Sequence, residues 1–325
     1  MPRAVRARPR CVLVESIHPH YLKLLERRFE VVRPEAATEE GIARAAAEAE
    51  AILIRTKGCV SAKVLAAAPK LKAVGRHGVG VDHIDLEAAS RRGVWVVYTP
   101  AGSLDAVAEH TWMMILGLAK HATRGDRAVR AVDFGFRSRH ESLQLRGKTL
   151  GVLGLGRIGT RVAEIARAFG MRVLYTDIVT YAAKEKKLGA RKAGLGALLA
   201  KSDVVTVHVP LTERTRGMLG AKELARMKPA AYLVNCARGA VVDAAALAAA
   251  LKAGRLAGAG SDVYVPEVPP PDHPLLACET ALLSPHSAAQ TAEARFNYAA
   301  VVEDLVRVLD GKRPRFPANE PGRKP

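Results

Sequence analysis

The chain has 325 residues, a length that suits two ordinary domains, and its 49% hydrophobic and 25% charged content excludes a disordered protein. Its four cysteines (Cys11, Cys59, Cys236 and Cys278) form no CxxC pair and no metal-ligand spacing, so no metal is expected and a reducing cytoplasm is. The formal net charge of +18 is spread along the chain without aromatic interleaving, which disfavours nucleic acid as a partner and suggests a field that draws small anions.

In chain order, the basic start "MPRAVRARPR" is followed by only four apolar residues, "CVLV", too few for a secretory signal. No apolar run approaches the ~18–20 residues of a membrane span, and the candidate "TWMMILGLA" is too short. "CVLVES", "AILIRT", "LKAVGRHG" and "VWVVYTP" read as strands separated by helical patterns such as "PHYLKLLERRF". Continuous apolar strands alternating with helices mark a parallel sheet covered on both faces. A helical segment follows at about 104–121, then an Arg-rich arm or loop to 148. A second alternating series runs through "KTLGVLGLGRIG", "DVVTVHVP", "AYLVNCARG" and "LAGAGSDVY", is broken by the prolines of "VYVPEVPPPDHP", and a helical pattern at about 291–310 closes the chain.

"VLGLGRIGTRVA" places Gly154, Gly156 and Gly159 in GxGxxG spacing between an apolar strand and a helix, and Asp177 ends the next strand. That context is the dinucleotide-binding fingerprint. Gly154 would permit the tight turn, Gly156 the approach of a pyrophosphate, and Gly159 the packing of the helix on the sheet. Asp177 would accept the adenosine ribose hydroxyls and repel a 2′-phosphate, so NAD is favoured over NADP.

Three strand-end loops carry groups suited to hydride transfer on a hydroxy acid: a cation, a proton carrier and a carboxylate to tune it. "NCARGAVVD" holds Arg238, whose planar guanidinium matches a carboxylate. "SDVYVPEVPPP" holds Asp262 and Glu267, and "LLSPHSAAQ" holds His286. In an open parallel sheet such strand ends converge.

These residues, with "GRHGVGVDHIDL", "AVAEHT", "HVPLTERTRGML", "GSDVYVPE" and "SPHSAAQT", resemble the D-isomer specific 2-hydroxyacid dehydrogenase family, short phosphoglycerate dehydrogenase-like members above all, in order and spacing over nearly the whole chain. The resemblance implies an α/β architecture of two doubly wound parallel-sheet domains. A flavodoxin-like substrate domain (1–103 and 288–325) would receive a Rossmann NAD-binding domain (104–287) as an insertion, with a cleft between them. The arm at about 104–148 would build a homodimer, with Arg137 or Arg139 reaching the partner's site.

It also implies Arg238, Glu267 and His286 as the catalytic set, and Arg55, Gly78, Val79 and Gly80 as substrate contacts beside Arg238 and His286. Around the cofactor it places Arg157, Ile158, His208, Pro210, Thr215, Cys236, Ala237 and Asp262, the last on the nicotinamide carboxamide. Asp82 and Asp85 read as turn and helix-start residues. Departures from the family pattern stand at Tyr98, Ser261, Val268 and in "SAAQT". The implied reaction is NAD-dependent hydride transfer at C2 of a D-2-hydroxy acid, 3-phosphoglycerate first and glyoxylate or hydroxypyruvate as alternatives. Glu267, where formate-oxidising members place Gln, disfavours formate. The chain's end at 325 argues against a serine-responsive regulatory domain, and a dinucleotide-sensing corepressor scaffold is the rival from another class.

Overall fold

Five parallel strands form the first sheet: β1 (Arg10–Leu13), β2 (Glu30–Val32), β3 (Ala51–Ile54), β4 (Ala73–Arg76) and β5 (Trp95–Tyr98), in the order β2-β1-β3-β4-β5. The structure, a computed structural model, describes residues 8–321. The first seven residues of the basic N-terminal segment and the last four of the basic tail lie outside the described residues. The central strands β3 and β4 are buried along their whole length, as the unbroken apolar runs predict for a sheet covered on both faces. Leu25 of helix Pro19–Arg28 and Val302 and Leu305 of helix Val301–Leu309 cover one face. Ile42, Val64 and Ala88, from three short helices, cover the other. Thr38, Ser61 and Asp85 accept the first free amides of those helices, which sets where each begins.

The end of the chain closes this unit's open edge. Ala318 N donates to Val96 O (2.7 Å), Asn319 Oδ1 accepts from Val96 N (2.7 Å), and the segment lies antiparallel along β5. Asp304, 1% exposed, accepts from the backbone amides of Arg315 and Phe316 and holds that segment in place. An edge strand is thereby denied to other chains.

The second sheet has seven parallel strands: β6 (Thr149–Leu153), β7 (Arg172–Thr176), β8 (Arg191–Lys192), β9 (Val204–Val207), β10 (Ala231–Asn235), β11 (Leu256–Ser261) and β12 (Ala281–Leu283). Their order is β12-β11-β10-β9-β6-β7-β8, so strand order reverses between β6 and β9, where dinucleotides bind in such sheets. Trp112, Met114 and Ile115 of the long helix Leu104–Ala119 pack with Val162 and Ala166 of helix Arg157–Ala168 on one face. Leu198, Leu224 and Leu247 cover the other. The fold class is thus two parallel-sheet α/β units. One comprises the residues up to Ser103 with those from Gln290 onward, the other Leu104–Ala289.

Two local expectations needed revision. The Arg-rich stretch is partly helical, over Ala122–Arg130 and Phe136–Arg139, with no residue of either helix buried. Its apolar residues are few, Ala122, Ala128 and Val129 in the first helix, and none of them is committed to a core. The closing helical pattern breaks into Ala292–Ala299 and Val301–Leu309, because Ala300 N turns to the carbonyl of Asn297, three residues back. No helix of the described residues is long and apolar enough to cross a membrane.

Candidate active site

The glycine loop joins β6 to helix Arg157–Ala168. Gly154 has φ +91°, and a Cβ there would stand 2.9 Å from the His208 carbonyl group, so two backbones meet where only glycine fits. A Cβ on Gly159 would lie 2.0 Å from Gly154 O, which is how closely the helix packs on the loop. Gly156 opens the helix with no side-chain cap and with nothing within 4 Å of a Cβ position. Free amides at a helix start beside open space suit a pyrophosphate, so the residues fit a dinucleotide. Gly159→Ala should destabilise the unit by about 1–3 kcal/mol and weaken NADH binding together, read by urea unfolding and fluorescence titration. A variant unchanged in both would contradict this packing.

Asp177 follows β7, accepting from Leu155 N (2.8 Å) and Val179 N (3.1 Å). His208 follows β9, pairs through Nε2 with Thr206 Oγ1 (2.8 Å), and burial pushes its pKa down to about 3. Thr215 Oγ1 donates to Pro210 O (2.6 Å), so these two brace their own turn. Arg157 is exposed and Ile158 half-buried at the head of the helix. Cys236 is enclosed beside Met114, with its thiol pushed up to about 12 by burial.

Strand register then aligns the chemistry. Asn235 pairs with Ser261, and Ser261 with Leu283, across β10, β11 and β12. Arg238 and His286 each lie three residues beyond those aligned positions, and Asp262 one beyond, so all three stand at one carboxyl edge. Asn235 shapes the first loop, with Nδ2 donating to Arg238 O (2.9 Å) and Oδ1 accepting from Ala237 N (3.0 Å). Arg238 is half-buried, with Nη1 donating to Ala237 O (2.8 Å). Gly239 allows that loop to touch the Tyr264 backbone, which a Cβ would meet at 2.5 Å.

His286 pairs through Nδ1 with Oε1 of Glu267, and both side chains reach solvent. Its φ of +51° is a left-handed conformation that a non-glycine residue holds only when its surroundings impose it. Asp262 imposes it. This residue is 0% exposed, and its Oδ1 accepts from Ser284 Oγ (2.5 Å) and Ser287 N (2.8 Å) while Oδ2 accepts from Ala288 N (3.0 Å). The carboxylate therefore ties the loop on both sides of His286. His110 Nε2 lies 2.9 Å from the same Ser284 oxygen. Ser284 gives its one proton to Asp262, so His110 must be the donor in that contact. Tyr264 OH completes the brace, lying 2.9 Å from both Ser261 O and Ser284 O. The sequence reading assigns no role to His110, Ser284 or Tyr264, which it holds only within the motifs "AVAEHT", "SPHSAAQT" and "GSDVYVPE".

The first unit holds the remaining candidates. Gly78 has φ +150°, and the Arg76 guanidinium laces its loop by donating to His77 O and Gly80 O, each at 2.6 Å. Val79 and Gly80 are half-buried. Arg55 Nη2 donates to Gln290 Oε1 (3.3 Å), while Glu15 accepts from Thr56 N and Lys57 N and so sets the path of the same loop. Asp85 caps helix Leu86–Arg91.

His77 is 3% exposed and neither ring nitrogen has a hydrogen-bond partner. Burial first, then Arg55, lowers its pKa to about 4. Between about pH 6.5 and 4 the unfolded chain takes up this proton and the folded chain does not. Stability therefore falls as pH drops through that window, by up to about 1.4 kcal/mol per pH unit. Urea midpoints at pH 7.5 and pH 5 should converge in His77→Leu relative to the parent. An unchanged pH dependence would show that this ring does not supply it.

The family model described as D-isomer specific 2-hydroxyacid dehydrogenase, NAD binding domain, matches residues 112–288. The glyoxylate reductase of Aeropyrum pernix is 40% identical over 318 residues, covering 94% of this chain and 95% of that protein. The D-3-phosphoglycerate dehydrogenase of Archaeoglobus fulgidus is 41% identical over 289 residues, 89% of this chain but 55% of that longer protein. Among solved structures, the D-lactate dehydrogenase of Aquifex aeolicus, complexed with NAD and lactic acid, superposes with a TM-score of 0.83 at 31% identity, over 96% of this chain and all of that one. With a dinucleotide cradle at the sheet's reversal and this extent of likeness, the chain belongs to the D-isomer specific 2-hydroxyacid dehydrogenase family and is an NAD-dependent oxidoreductase.

Proposed function

We propose that the chain interconverts a small D-2-hydroxy acid and its 2-keto acid, with 3-phosphoglycerate and 3-phosphohydroxypyruvate as the first pair. The observation that carries the mechanism is the pairing of His286 with Glu267 at the strand edge that also presents Arg238. With Nδ1 on Glu267, Nε2 is the ring atom left for substrate. In the oxidative direction Nε2 takes the hydroxyl proton as the hydride leaves C2, and in reduction it returns that proton to the carbonyl oxygen. Glu267 fixes the ring and offsets the imidazolium charge. The Arg238 guanidinium holds the substrate carboxylate and polarises the reacting oxygen. The nicotinamide, when bound, supplies hydride acceptance and donation. Gly154, Gly156 and Gly159, with Asp177, orient the dinucleotide.

Arg55 and the amides of Gly78, Val79 and Gly80 are assigned to anion recognition on the first unit. Arg55 favours the phosphorylated substrate. Glyoxylate is the second reading, favoured by the 40% identity to the Aeropyrum pernix protein. Val132 and Phe134, 80% and 65% exposed on the arm, support a homodimer built through it, and the free cysteines suit a cytoplasmic setting.

The test is NADH oxidation by the purified protein with 3-phosphohydroxypyruvate, hydroxypyruvate, glyoxylate and pyruvate, with His286→Ala as control. Turnover of the phosphorylated acid at the highest kcat/KM, lost in the variant, is expected. Preference for glyoxylate would move the assignment to the second reading. Tight NADH binding without turnover would favour a dinucleotide sensor.

A further inference from the structure

Lys184 lies in the short helix Ala182–Leu188 that follows β7. Its ammonium donates to Leu155 O at 2.7 Å and stands 3.9 Å from the centroid of the Tyr181 ring. Leu155 is the residue between the first two glycines, and its N–H donates to Asp177 Oδ2 at 2.8 Å. One residue of the glycine loop is thus held at its amide by an anion and at its carbonyl by a cation. Arg157, exposed at the head of the helix, lies close enough to act on Lys184 electrostatically, as does Asp177. The carboxylate expected to face the adenosine ribose thus shares Leu155 with one cation, Lys184, and Arg157 acts on that cation.

This arrangement changes what Asp177 can exclude. A lone carboxylate repels a 2′-phosphate, which carries about −1.5 to −2 charges near neutral pH. A cation bound to the same loop residue offsets that charge, and Arg157 adds positive charge near it. An ammonium has three donors, and Leu155 O and the Tyr181 ring engage two of them, leaving one for a phosphate oxygen. Burial, with Asp177 opposing and Arg157 adding to it, lowers the Lys184 pKa, and an incoming phosphate would favour the charged form.

We propose that Lys184, together with Arg157, is a cofactor-selecting residue that lets the site bind the 2′-phosphorylated dinucleotide NADP(H) alongside NAD(H). The inference rests on the dinucleotide placement described above and goes beyond the assignment of NAD.

The test is direct binding, by fluorescence titration of NADH and NADPH without substrate, on the parent, Lys184→Gln and Lys184→Met. Glutamine keeps a donor for Leu155 O and removes the charge. The parent should bind NADPH within about tenfold of NADH. Lys184→Gln should weaken NADPH by about tenfold and NADH by less than about threefold, and Lys184→Met should do at least the same to NADPH. Equal weakening of both dinucleotides in Lys184→Gln would make Lys184 a brace of the loop alone and overturn the inference. So would a parent that binds NADH but not NADPH. A parent that binds neither would instead sink the dinucleotide site.

Discussion

His286→Asn should lower kcat by about a thousandfold while NADH affinity stays within about threefold, because the asparagine amide can hydrogen-bond but cannot carry the proton. On the proposed reading the glycine loop and Asp177 hold the dinucleotide, and both lie at strands other than the one bearing His286. Glu267→Gln should cost less, about ten- to a hundredfold, since the proton carrier survives and only its partner is changed. The two changes touch one hydrogen-bonded pair, so the double variant should be little worse than His286→Asn alone. Stopped-flow single turnovers with NADH and the best keto acid, with separate NADH titrations, measure these quantities. Equal losses in turnover and in NADH affinity would remove His286 from the chemistry. Additive losses in the double variant would show that the two residues act separately.

Asp262→Asn should be the most damaging change to a residue that need not touch substrate. The carboxylate accepts three donors, from Ser284 Oγ, Ser287 N and Ala288 N. An asparagine offers one carbonyl oxygen and presents its NH2 group to at least one of them. Leaving a buried donor unpaired costs about 1–3 kcal/mol, and a hydrogen bond to a charged group is at the upper end of that range. A stability loss of about 2–3 kcal/mol is expected from urea unfolding. kcat should also fall by about ten- to a hundredfold, because the loop no longer holds His286 at φ +51°. The discriminating measurement is the split between kcat and NADH affinity. A loop-anchoring role lowers kcat first, whereas the carboxamide contact implied by the family resemblance would weaken NADH binding as well. Retention of both stability and kcat would show that the anchor is dispensable.

The candidates of the second unit differ in how they could be recognised. GxGxxG is local: one strand, one turn and one helix supply all three glycines, so spacing alone carries the meaning. The gathering of Arg238, Asp262 and His286 at one edge was legible for a related reason. All strands of a parallel sheet point the same way, so residues just past three apolar runs are brought to a single edge whatever the details of packing.

The brace around His286 had no such signature. His110 and Ser284 are 174 residues apart, and Asp262 and Ala288 are 26 apart. Arg76, inside the apolar run "LKAVGRHG", turns back on Gly80, and Asn319 reaches Val96 across 223 residues. The order of apolar and polar residues determined the strands, the glycine turn and the edge that gathers Arg238, Asp262 and His286, because those follow from backbone periodicity and chain direction. Only the tertiary structure decided which buried polar groups meet, because a buried donor takes whichever acceptor packing brings within about 3 Å, and chain order does not encode that distance.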